Sequence, residues 1–80
     1  IIIYYNSVID EFYDSDLSDQ ARIGIIKSYL AQNNVDGAKK YLLLHKNSFF
    51  DSIEYVSGKD LIEAHIKDLN KNSFIKKFKF

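Results

Sequence analysis

Few side chains in this sequence have the type and spacing that chemistry requires. The two histidines, His45 and His65, both fall on apolar helix faces, His45 beside Tyr41 and Leu42 and His65 above Leu61. In that setting a histidine reads as a core-edge residue holding one hydrogen bond. There is no cysteine, so a metal site would need both histidines and carboxylates from separate helices. No His-Glu-x-x-His pairs them. Asp14-x-Asp16-x-x-Asp19 opens like a calcium loop but lacks the central glycine and the closing bidentate glutamate. The pairs Asp51/Glu54 and Asp60/Glu63 fall in first helical turns, where capping and the helix dipole account for them. Gly24, Gly37 and Gly58 are isolated, so no phosphate-cradling loop exists, and no Gly-x-Ser-x-Gly elbow is present. The expectation is a protein that is not an enzyme, with no cofactor and no metal.

The segment 71–80 carries the one pattern suited to an extended ligand. Lys71, Lys76, Lys77 and Lys79 alternate with Phe74, Phe78 and Phe80. Such lysines can hold phosphates while the rings stack on bases, or the segment can lie at a membrane surface. Zero net charge and the lack of an Arg- or Lys-rich recognition helix weigh against nucleic acid. The preferred reading has Phe74 and Phe78 closing the core with the lysines in water, because so small a domain needs its rings.

Those residues must be positioned by a single domain, residues 1–80, near the size at which one core is just sufficient. An apolar fraction of 46% with 28% charged residues is globular rather than disordered. Charge is uneven along the chain. Residues 1–20 hold Asp10, Glu11, Asp14, Asp16 and Asp19 with no positive partner, whereas residues 67–80 hold Lys67, Lys71, Lys76, Lys77 and Lys79 against Asp68 alone. The ends attract each other or face water; the sharper alternative makes one of them a docking patch. No apolar run nears the roughly 20 residues that span a bilayer. Residues 1–5 lack the basic flank and cleavage site of a secretory signal. A cytoplasmic location is expected.

The organising element is the stretch 18–34. At 100° per residue, Ile23, Ile25, Ile26, Tyr29 and Leu30 cover nearly half of a helix, beside a stripe of small residues, Ala21, Gly24, Ser28 and Ala31. Two neighbours can approach such a helix at once, so it is placed at the centre. Ahead of it, Ile2, Tyr5, Ile9 and Phe12 at 3-4-3 spacing, with Val8, predict a helix over 2–13. Turn-forming residues 14–18 carry the reversal, and Asp16 or Ser18 caps the central helix.

Beyond Asn33 and Asn34, residues 35–46 form a third helix on the Val35, Ala38, Tyr41, Leu42 face, starting at Ala38 if Gly37 frays its first turn. Ser48-x-x-Asp51 has capping-box form. Phe49, Phe50, Ile53 and Val56 then line one face up to Gly58, read as a C-terminal stop. Asp60 opens a fifth helix with Leu61, Ile62, Ile66 and Leu69 inward, and residues 70–73 break it before a last turn or two. The fold expected is all-α, about five short helices in antiparallel hairpins.

Residues 25–42, with Ile25-Ile26-x-x-Tyr29, Asn33-Asn34-Val35-x-x-Ala38 and Leu42, resemble the middle of a tetratricopeptide repeat. The likeness covers under half of the chain, departs at Ile26, where the repeat wants a small residue, and finds no second copy 34 residues on. No family is assigned from it.

With chemistry sparse and aromatics abundant, the expected function is a non-catalytic protein-binding module of adaptor, immunity or inhibitor type. Tyr55 lies outside the Phe49, Ile53, Val56 arc, on the side of Asp51 and Glu54, so these three are the expected partner contacts. The alternatives are nucleic-acid association through Lys71, Lys76, Lys77 and Lys79, or a structural subunit of a larger assembly.

Overall fold

The computed structural model describes the backbone of residues 1–78 and the side chains of residues 1–71. It is all-helical among the described residues, with four helices: α1 (Ile2–Glu11), α2 (Asp16–Ala31), α3 (Val35–Leu44) and α4 (Ser52–Phe78), plus a 3-10 turn at Lys46–Ser48. The expected all-α fold is present with one helix fewer. No helix among the described residues is long and apolar enough to cross a membrane.

Helix α2 packs against each of the other three helices, the central place its two stripes predict. On the small flank Ala21 and Gly24 are buried, and α1 lies so close that a Cβ on Gly24 would come within 2.5 Å of the Tyr5 ring. On the broad apolar face Ile26 and Leu30 join Ala38, Leu42 and Ile62 in the buried core. Ile25 is likewise buried.

The helix ends differ from expectation in instructive ways. Ser18 does not cap α2; it lies inside the first turn, fully buried, with Ser15 at the cap position. The reversal after α2 uses Asn33 in the left-handed region, φ 57°, while the Asn34 side chain caps α3 by accepting from the Gly37 amide at 2.9 Å. A Cβ on Gly37 would stand 2.6 Å from Asn34 Nδ2 and 2.9 Å from Tyr29 Cδ1. The glycine thus lets α3 start at Val35 instead of Ala38. Helix α3 ends at Leu44, and Ser48 belongs to the 3-10 turn, donating its amide to His45 O at 2.9 Å rather than forming a capping box.

The largest correction concerns Gly58. It does not stop a helix; α4 runs through it and through residues 70–73 without a break. Gly58 is buried at a crossing where a Cβ would lie 3.0 Å from Ile26 Cδ1, 3.1 Å from Leu42 Cδ1 and 3.3 Å from Ile23 Cδ1. Its φ is not positive, so the position needs a missing side chain and not a left-handed backbone. No proline and no glycine follows it in α4, and Asn or Ser alone lowers helix propensity without ending a helix.

Helices α2 and α4 run parallel at a fixed offset. The Asp51 amide meets Asp19, Gly58 meets Ile26, and His65 meets Asn33. Each pair is separated by the same 32 residues. Antiparallel α3 lies between them in sequence and packs on both. The side chains of residues 72–80 lie outside the described residues, and with them the expectation that Phe74 and Phe78 close the core.

Candidate partner-binding surface

The fold places a buried polar clamp beneath an open apolar trough. The clamp is built on the first turns of α2. Asp19 Oδ1 accepts from Arg22 Nη1 at 2.9 Å and from the Phe50 amide at 2.8 Å. Its Oδ2 accepts from the Asp51 amide at 2.7 Å. A carboxylate on α2 therefore holds two amide donors of the segment just ahead of α4 and fixes how the chain enters that helix. Arg22 lies between two rings, its Cζ 5.9 Å from the Tyr13 centroid and 5.7 Å from that of Phe49. Ser18 Oγ accepts from Arg22 at 3.3 Å and lies 2.7 Å from both the Tyr13 and the Ser15 carbonyl oxygens.

Asp19, Ser18 and Arg22 are all fully or almost fully buried, and no buried side-chain polar atom lacks a partner among the described residues. A closed, saturated cluster of this kind positions backbone and offers no group to a substrate. It also fixes Phe49, whose ring meets that of Tyr55 at 5.9 Å and 55°.

Neighbouring rings continue the stack. Tyr41 lies 6.3 Å from Tyr29 and 4.4 Å from His45. Burial pushes the Tyr41 hydroxyl pKa up to about 12, opposed by the pull of Arg22 and assisted by Tyr29. Burial holds His45 below the usual imidazole value, and the Arg22 charge adds to that effect. His65 faces Asn33 Oδ1 at 3.2 Å. No cluster of three potential metal ligands occurs among the described residues.

Above the clamp, α3, the 3-10 turn and α4 enclose two open depressions that share Tyr55 and Lys59. They adjoin at these two residues, a trough in two parts. Tyr55 is half-buried and packed on the core, with Lys46 Nζ 5.6 Å from its ring centroid. This reverses the expected facing of α4. Phe50, Ile53 and Val56 are 57%, 69% and 54% exposed. Because α4 is continuous, Ile62 fixes its inner face, and 100° per residue puts Ile53 about 180° from it and Tyr55 within about 20°.

Of the expected contacts, Tyr55 therefore sits at the trough. Asp51 immediately precedes α4, its Oδ1 accepting from the Ile53 amide at 2.9 Å, and half-buried Glu54 donates its amide to Asp51 O at 3.0 Å. Lys71 is exposed; the side chains of Lys76, Lys77 and Lys79 lie outside the described residues.

The sequence reading takes Asp19 only as one of the acids of residues 1–20 and does not single out Arg22. A signal was present. On the α2 wheel Asp19 lies within about 20° of both Ile26 and Leu30, and Arg22 about 60° away. A carboxylate at the centre of an apolar face, one turn from an arginine, announces a buried pair. Compared with protein-family models, curated proteins and solved structures, the chain finds no match.

Proposed function

We propose that the protein is a non-catalytic binding module that engages another protein through the apolar surface of α3 and α4. The observation that supports this reading is a run of large exposed apolar side chains on these elements. Leu43 and Leu44 are 72% and 78% exposed, and they accompany Phe50, Ile53 and Val56. Single exposed leucines are ordinary, but five large exposed apolar side chains within residues 43–56, of which Leu43 and Val56 line the depressions, favour an interaction surface. Tyr55 at the shared centre supplies a rigid ring of the kind enriched at interface hot spots.

The test replaces Phe50, Ile53 and Val56 together by Ser. These side chains are exposed, so each change should shift stability by no more than about 0.5 kcal/mol. Affinity capture from a native-source lysate should recover a protein on the wild-type chain and lose it on the folded triple variant. Equal recovery on both, or none on wild type at low salt, would refute the reading.

A further inference from the structure

Resting on that reading, we infer that the trough between α3 and α4 takes an acidic amphipathic helix of the partner protein. The lining is apolar and aromatic, with Leu42, Tyr55, Ile62 and Ile66 at its base and Leu43 and Val56 exposed along it. Around it stand three lysines, Lys39, Lys46 and Lys59, all exposed, against the single acid Glu63. Three cations around an apolar strip repel a basic segment and attract acids flanking an apolar stripe.

The shape agrees with a helix. Val56 and Ile66 are ten residues apart on α4, about 15 Å along its axis. That length accommodates apolar anchors at i, i+4 and i+7 or i+8 of an occupying helix, which span about 11–12 Å. The trough is open along its length, so a small ligand would stay largely wet, whereas a helix lays one face down and keeps the other in water. In the half lined by Leu43 and Ile66 the walls are the antiparallel helices α3 and α4, which present ridges and grooves to a third, and the 3-10 turn walls the other half. A nucleic-acid backbone would satisfy the lysines but leave the leucine, valine and isoleucine lining without a counterpart.

The experiment titrates the full 80-residue chain into a fluorescently labelled designed peptide of about four helical turns. The peptide carries Leu at the anchor positions and Glu elsewhere, and a twin carries Lys in place of Glu. The Glu peptide should bind at least about tenfold more tightly than its twin and weaken as salt rises. Lys39→Glu with Lys59→Glu, both at exposed positions, should invert the preference while leaving the melting curve in place. Equal binding of the two peptides, or binding of neither, overturns the inference. If the Phe50, Ile53 and Val56 triple variant still loses its native partner in that case, the binding-module reading survives it. If the chain self-associates in sedimentation and the Lys39→Glu, Lys59→Glu variant does not, the occupant is a second copy and the inference is likewise overturned.

Discussion

Asp19 stands where the phase of α2 asks for a leucine, and its two oxygens hold three donors from two elements. Its partner is less well provided. Without Asp19, the Arg22 guanidinium would keep Ser18 Oγ at 3.3 Å and two ring faces. Without Arg22, the carboxylate would keep both backbone amides. The two removals should therefore differ. Asp19→Asn leaves a buried cation uncompensated and should cost about 3–5 kcal/mol. Arg22→Met, which fills similar space and strands no cation, should cost clearly less. Urea unfolding of both variants near neutral pH checks the order; equal losses would mean that the ion pair outweighs the amide contacts. Tyr55 shows the other side of residue-scale reading. Its type suggested a contact residue from sequence, but its facing depended on a helix phase that no single residue carries.

At the scale of elements, two glycines that look alike in sequence do different work. Gly24 meets the flat ring of Tyr5, with three ring atoms between 2.5 and 2.9 Å of a built Cβ. Gly58 meets three terminal methyl groups between 3.0 and 3.3 Å. A rigid ring at 2.5–2.9 Å must move farther than the end of an isoleucine or leucine side chain at 3.0–3.3 Å. Gly24→Ala should accordingly destabilise more than Gly58→Ala, where the gain of up to about 1 kcal/mol in helix propensity offsets the crowding. Leu at either site should overpack the crossing by about 1–3 kcal/mol. Thermal melts of the four variants test this ranking, and a Gly24→Leu melt matching wild type would place that flank in solvent.

The helices α1, α2 and α3 were legible because 3.6-residue periodicity survives in one uninterrupted stretch each. Helix α4 was not, because a glycine at a crossing and a glycine at a helix end carry the same letter. A helix split at Gly58 separates Ile62 and Ile66 from the residues before it, and the arc of Phe50, Ile53 and Val56 alone then points to the wrong inner face. The clamp was hidden for a related reason: an acid in a first helical turn has a sufficient local explanation, and only its tertiary partners at Phe50 and Asp51 reveal the other.

The whole molecule is elongated, 52 × 23 × 17 Å, and unevenly stitched. Helices α2, α3 and α4 share the buried core, the close crossing at Gly58 and the Asp19 clamp. Helix α1 holds no buried residue and packs chiefly on the small flank of α2. Its exposed Ile1, Ile3 and Tyr4 contribute little to that contact. An element that buries no residue of its own and leans chiefly on a single neighbour opens most easily, so α1 should open without the rest. Native-state hydrogen exchange should show amides of α1 exchanging well before those of residues 22–30 and 55–66. Equal protection of α1 and α2 would make the chain one cooperative unit and contradict this division. The same measurement bears on function. An acidic helical peptide seated on α3 and α4 should slow exchange in residues 38–44 and 52–66, leaving α1 on the far flank of α2 unaffected. Protection that instead spread to α1 would locate the contact away from the trough.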